Sequence, residues 1–223
     1  MTSLKRRAVP GAIKNRATLR RRPTSNPPQR RVRLENDQRR QQLLQLGRSA
    51  FAERAYDEVS IDDIASAAGI SKGLLYHYFP TKRDLYLAGL RATAEELATQ
   101  VQACHNEPVS RLQRALDAYL THAKANAGSY TALMRGGIGS DPEVATVAQR
   151  TRQVLLEAAQ QDASYAPLAT SEHMSTLVLR GWVGTVEAVT LDWVAGVDVT
   201  AFALRDWLIE LLRLAVKSAN ATV

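Results

Sequence analysis

Ser60-Ile61-Asp62-Asp63-Ile64-Ala65-Ser66-Ala67-Ala68-Gly69-Ile70-Ser71-Lys72-Gly73-Leu74-Leu75-Tyr76-His77-Tyr78-Phe79-Pro80-Thr81-Lys82-Arg83-Asp84-Leu85 is the stretch whose reading decides the fold. Ser60 and Ser71 each stand where a hydroxyl caps a helix start, and Asp63 is spaced to complete a capping box with Ser60. Val59 with Ile64, and Ile70 with Leu75, occupy the two positions of a hydrophobic staple. Between the two segments, Ala68-Gly69-Ile70 is a tight turn with Gly69 suited to a left-handed helix end. Two short helices joined by such a turn make a helix-turn-helix.

At about 100° per residue, Leu75 and Phe79 share one face of the second helix, while Gly73 and His77 project opposite. Tyr76 and Leu74 flank that outward face, and Lys72 lies in the first turn. A lysine, an aromatic hydroxyl, an imidazole, one apolar side chain and a glycine that permits close approach suit a DNA major groove. Thr81 and Lys82 open the next helix, whose N-terminal amides add a place for a phosphate. The expected DNA contacts are therefore Ser60, Ser71, Lys72, Gly73, Leu74, Tyr76, His77, Thr81 and Lys82.

Ser60-Ile61-Asp62-Asp63-Ile64-Ala65, then Ala68 through Phe79, then Lys82 and Leu85, resemble the DNA-binding domain of tetracycline-repressor (TetR) type regulators over residues 37–86. The resemblance implies a one-component, homodimeric transcription factor, usually a repressor, in which a long fourth helix joins the reading head to a ligand-binding helical core. By motif position it implies DNA contacts at Ser60, Lys72, Gly73, Leu74, Tyr76, His77 and Lys82. Leu74 stands where that family often carries a small or hydroxylated residue.

Outward from this motif, charge divides the chain. Of its 29 Lys and Arg, 11 fall within residues 1–34, leaving 18 against all 22 Asp and Glu in the remainder. A cationic arm on a mildly acidic body points to a polyanionic partner. The arm carries four prolines and few apolar side chains, too little to offset ordering entropy, so residues 1–34 are expected to be disordered. Arg20, Arg21, Arg22, Arg30, Arg31 and Arg33 are its candidate backbone or minor-groove contacts. Order is expected from Asn36 or Asp37, with a DNA-binding domain over residues 35–84 and a ligand-binding and dimerisation domain over 85–223.

Beyond the motif the periodicity is helical throughout, which gives an all-α fold. Helices are expected over Thr81–Cys104, Pro108–Ala125, Ser129–Arg135, Pro142–Gln161, Ser171–Val194 and Thr200–Ser218. The breakers are Gly128, Gly136-Gly137-Ile138-Gly139, Tyr165-Ala166-Pro167 and Gly196-Val197-Asp198. The last two long helices are apolar on more than one face and so need cover on two sides. Leu177, Gly181, Gly184, Ala188 and Leu191, with Leu204, Leu208, Leu211 and Leu212, are the expected surface of a four-helix homodimer interface. Tyr119, His122, Tyr130, Met134, Trp182 and Trp193 are the expected walls of a pocket for a small hydrophobic or amphipathic effector, with Arg135, Arg180 or Glu187 as polar anchors.

Other classes fit poorly. The four histidines form no His-Glu-x-x-His pair, and Gly136–Gly139 follows no strand and precedes no Lys-Ser/Thr, so neither a metal site nor a phosphate loop is expected. Nothing calls for catalysis or a cofactor. The single cysteine, Cys104, indicates a reducing compartment, and residues 8–13 are too short for a secretory core. Arg180, Glu187, Asp192 and Asp198 interrupt the most apolar stretch and argue against a membrane span. The expected partner is double-stranded operator DNA, bound in the cytoplasm. An activator, a co-repressor-type regulator, or an architectural DNA-binding protein driven by the arm are the alternatives.

Overall fold

A computed structural model of the chain describes residues 28–103, 110–135, 141–162 and 172–221. Among the described residues every regular element is helical. They are α1 (Pro28–Glu53), a single 3-10 turn (Tyr56–Glu58), α2 (Ile61–Ala67), α3 (Lys72–Tyr78), α4 (Lys82–Gln102), α5 (Arg111–Ala125), α6 (Ala127–Arg135), α7 (Pro142–Gln160), α8 (Glu172–Val194) and α9 (Ala201–Ala221).

The chain divides into two compact units, Met1–Asp37 and Gln38–Val223. In the first, α1 opens at Pro28, eight residues ahead of the expected start at Asn36. Proline at a first helical position has its φ preset and lacks only an amide that would be orphaned anyway, and no glycine or proline follows up to Asp37. Arg30, Arg31 and Arg33 thus fall within a helix, whereas Arg20, Arg21 and Arg22 lie outside the described residues.

In the second unit, α1 contributes Leu43, Leu44 and Phe51 to a core shared with Val59, Ile61, Ile64, Leu75 and Phe79. A seven-residue helix such as α3 is marginal by itself. Leu75 is wholly buried and Phe79 nearly so, each worth about 1.5–3 kcal/mol, so packing rather than propensity holds α3 in place. Arg40 lies over the Phe79 ring at 4.8 Å and seals it from outside.

Helix α4 runs unbroken from this head into the rest of the unit. The expected boundary at residues 84/85 therefore falls inside a helix. Farther on, α4 packs along α5 and α7, while α9 packs on α5 and α8. Phe51 stacks on Tyr56, and Tyr86 meets both rings edge-on, where α1, the 3-10 turn and α4 meet. Gly128 does not break a helix. It sits in the first turn of α6, where a Cβ would come within 2.4 Å of the Ala52 carbonyl oxygen. Its lack of a side chain lets α6 approach the end of α1.

The expected breakers Gly136–Gly139 and Tyr165–Pro167, and also Cys104, lie outside the described residues. Gly196, with φ +122, separates α8 from α9 as expected. Among the described residues no helix is long and apolar enough to cross a membrane.

Candidate nucleic-acid interface

The turn between α2 and α3 is built by backbone hydrogen bonds that only a left-handed residue allows. Gly69 has φ +66. Its amide donates to the Ser66 carbonyl and the Ile70 amide to the Ala65 carbonyl, both at 3.0 Å, which is a Schellman closure of α2. Ser71 then caps α3, its hydroxyl accepting from the Leu74 amide at 3.2 Å.

The first cap differs from expectation. Ser60 Oγ accepts from the Asp62 amide at 3.2 Å, not from Asp63. The Asp63 carboxylate turns away to accept from Arg54 Nη1 at 3.2 Å, so the capping box at Ser60 is absent. A reciprocal box forms instead at Thr81. Its hydroxyl accepts from the Asp84 amide at 3.0 Å, and its own amide donates to Asp84 Oδ2 at 3.0 Å. The Thr81 hydroxyl directs its proton to the same carboxylate at 2.8 Å. The Thr81 side chain is thereby engaged within its own helix start.

The exposed face of α3 is the one projected. Lys72, Gly73 and His77 are exposed, Leu74 is 41% and Tyr76 37% accessible, and Ser71 and Thr81 are exposed beside them. Ser60 and Lys82 are half-buried, as is Tyr78, which stands edge-on to His77. A Cβ on Gly73 would meet nothing within 4 Å among the described residues, so none of their contacts accounts for a glycine there.

Two charges on this face have partners that sequence spacing did not predict. Lys72 Nζ donates to Asp62 Oδ2 at 2.8 Å, and this hydrogen bond raises the lysine's pKa. The pair is exposed and therefore weak. Lys82 Nζ lies 4.5 Å above the Tyr56 ring and donates to the Asp57 carbonyl at 3.5 Å, which fixes its stem at the start of α4.

Behind this face is an ionic connection between α4 and α7 that the sequence reading missed. Arg83 Nε donates to Asp141 Oδ2 at 2.6 Å and Nη2 to Asp141 Oδ1 at 2.9 Å, with a further bond from Nη2 to Glu143 at 2.9 Å. Arg91 also donates to Glu143. The Arg83 guanidinium, with the Glu143 and Val144 amides, pulls the Asp141 carboxyl down to about 2. Asp141-Pro142 is a readable helix start, but nothing in its spacing names a partner 58 residues away.

In the body, all six expected pocket residues are buried. Tyr119 and Tyr130 share a hydrogen bond of 2.6 Å between their hydroxyls, and burial raises both phenols. Trp182 and Trp193 are pegs, their indole nitrogens donating to the Leu208 carbonyl at 2.8 Å and the Val199 carbonyl at 2.7 Å. Met134 is ordinary core. His122 differs: both ring nitrogens are buried without a hydrogen-bond partner among the described residues. Burial lowers the His122 pKa.

The expected dimer residues divide. Leu177 is 65% accessible, Gly181, Gly184 and Ala188 are exposed, and Leu191 and Leu211 are half-buried. Leu204, Leu208 and Leu212, by contrast, are buried in the chain's own core, because the stripe they form on α9 faces inward. The open apolar side of α9 carries Phe202, Trp207 and Leu214 instead. Helical periodicity gave both stripes and could not say which one the monomer uses.

A small helical head with an open recognition helix, joined by one continuous helix to a larger helical body, defines the helix-turn-helix class of regulators. Residues 43–88 match the family model described as bacterial regulatory proteins, tetR family, and residues 108–214 match the tetracyclin repressor-like C-terminal domain. A crystal structure of a tetR-family transcriptional regulator from Streptomyces coelicolor is 31% identical, with a TM-score of 0.69 and 84% of each chain covered. The chain belongs to the tetR family. Among curated relatives, the HTH-type transcriptional activator FasR of Mycolicibacterium smegmatis is 32% identical over 51% of this chain and 53% of its own. The HTH-type transcriptional repressor KstR2 of the same organism is 32% identical over 39% of this chain and 42% of its own. The chain thus spans about half the length of these curated relatives or less.

Proposed function

We propose that this protein is a ligand-responsive, one-component transcriptional regulator, a repressor that binds operator DNA as a homodimer in the cytoplasm and leaves it when a small hydrophobic or amphipathic molecule binds. The observation that carries the reading is the division of α3. Leu75 and Phe79 fix its underside, and Lys72, Gly73, Leu74, Tyr76 and His77 are on its exposed face. In this reading Tyr76, His77 and Leu74 meet base edges and thymine methyls, Gly73 admits the backbone, and Ser60, Ser71, Lys72, Thr81 and Lys82 lie along phosphates.

The second copy is placed on the open sides of α8 and α9. Leu177, Gly181, Gly184, Ala188, Trp207 and Leu214 form a surface whose exposed large apolar side chains suit an isologous four-helix interface. Pairing there presents two reading heads to successive major grooves. An effector that favours another spacing of the heads releases DNA, by as much as its affinity differs between the two states. The basic arm adds phosphate contacts, so deleting residues 1–27 is expected to flatten the salt dependence of binding.

Activation is the second reading, because the FasR relative is described as an activator. The deciding experiment is recovery of genomic fragments by the purified protein in excess random DNA. A regulator enriches discrete sites with twofold symmetry. Recovery without sequence preference contradicts the reading and favours an architectural protein driven by charge.

A further inference from the structure

Cations of the reading head are held in two ways. Some meet carboxylates: Arg48 pairs with Glu96, Arg54 with Asp63, and Lys72 with Asp62. On the body Arg152 is held likewise, its Nε and Nη2 donating to Glu187 at 2.6 and 2.9 Å. Others are seated on ring faces. Lys82 lies over Tyr56, and the Arg40 guanidinium carbon lies 4.8 Å from the centre of the Phe79 ring. Neither Arg40 nor Lys82 meets a carboxylate among the described residues.

A ring face holds a cation without cancelling its charge. Arg40 therefore keeps its full positive charge while the core fixes its position. Phe79 is buried and closes α3, and Arg40, itself exposed, covers that helix end from outside. Tyr76 of the outward face stands three residues before Phe79, the neighbouring position on the helix surface. Thr81 and Lys82 follow directly, at the start of α4. Arg39, the next residue on α1, turns instead to the Gln42 side chain at 2.7 Å.

A guanidinium seated in advance on a buried ring loses little freedom when it binds. Its fork of N–H donors matches the oxygens of a phosphate. The helix-turn-helix motif does not name this residue, because Arg40 belongs to α1 and reaches Phe79 only through the tertiary fold.

We infer that Arg40 binds a phosphate of the operator backbone at the C-terminal end of α3, a DNA contact from outside the helix-turn-helix motif. The assignment rests on the regulator reading above and adds a residue to its interface. Arg40 and Lys82 then act alike: aromatic rings hold both cations in place, and the duplex supplies the counter-charge. Such a contact positions the recognition helix and carries no sequence information itself.

The test is the salt dependence of DNA affinity, measured by fluorescence anisotropy with the full chain and a fragment that wild type selects. Arg40→Gln is expected to make the log–log slope shallower by about 0.9 for each subunit on the DNA, with preference over random DNA unchanged. Arg40→Met keeps an unbranched stem over Phe79 and is expected to lose the same amount, which separates charge from packing. Arg40→Lys keeps the charge and is expected to hold the wild-type slope. Arg150→Gln removes an equal charge from an exposed position on α7 and is expected to change nothing. Combined with Lys82→Ala, Arg40→Gln is expected to lose about twice the single increment. A wild-type slope in both Arg40→Gln and Arg40→Met overturns the inference, as does an equal loss in Arg150→Gln, and either result leaves the regulator reading standing. A wild type that selects no fragment overturns both.

Discussion

Arg83, at the start of α4, holds both carboxylate oxygens of Asp141, at the start of α7, through hydrogen bonds of 2.6 and 2.9 Å. The same carboxylate caps α7 by accepting from the Glu143 amide at 2.9 Å. One side chain thus starts a body helix and fastens it to the helix that leads into the reading head. Bidentate arginine–carboxylate geometry adds directional specificity to the contact between the two helix starts.

The depressed Asp141 pKa gives this connection a pH signature. A carboxyl lowered from its ordinary 3.8 to about 2 contributes stability that is fully present above the ordinary value and is lost as pH falls towards the folded one. Asp141→Asn keeps a capping side chain and removes the charge. Its thermal midpoint is expected below wild type by a constant margin from pH 7 to 5, with the margin closing between about pH 4 and pH 2. Asp141→Ala loses the cap as well and is expected to melt lower than Asp141→Asn at pH 7.

Gly73 separates the needs of folding from those of binding. Its missing side chain faces open space, so Gly73→Ala is expected to stabilise the protein by about 0.5–1 kcal/mol through helix propensity and a less flexible unfolded chain. Operator affinity is expected to fall in the same variant because the methyl stands between α3 and the groove floor. Thermal melting and gel retardation, run together, check the opposed signs.

The head was legible because its determinants are local. Caps at Ser60, Ser71 and Thr81, the turn at Gly69 and the inward pair Leu75 and Phe79 all act within a few residues of one another. The cap at Ser60 slipped by one residue because Arg54, from the end of α1, competes for Asp63. Arg83 with Asp141, and Arg152 with Glu187, are tertiary pairs that no local spacing announces. Trp182 and Trp193 looked like pocket walls because residue type carries no record of which carbonyl an indole reaches. On α9, equal hydrophobicity on two faces left Leu208 and Trp207 interchangeable until packing chose between them.

That choice makes a prediction about assembly. Trp207 is 49% accessible and Leu208 is fully buried. Trp207→Ser is expected to leave the melting curve of the subunit largely intact while shifting sedimentation from dimer to monomer. Leu208→Ala is expected to destabilise the fold by about 2–5 kcal/mol through the cavity it leaves. A Trp207→Ser protein that sediments as wild type places the second copy elsewhere.

Lys82 is expected to act through phosphate. Lys82→Ala removes the ammonium poised over Tyr56, and a single phosphate contact contributes about 0.9 to the log–log slope of affinity against salt for duplex DNA. The slope is expected to become shallower by about one, with sequence preference unchanged. An unaltered slope assigns Lys82 to packing alone.

Operator recognition depends most on α3 meeting the bases. Its most direct test is the affinity of a folded, dimeric Tyr76→Ala variant for the fragments that wild type selects, measured beside its affinity for random DNA. The prediction is a loss of about 1–3 kcal/mol on the selected site with random-DNA binding nearly unchanged, so that specificity falls. Undiminished preference for the selected site in that variant would contradict it.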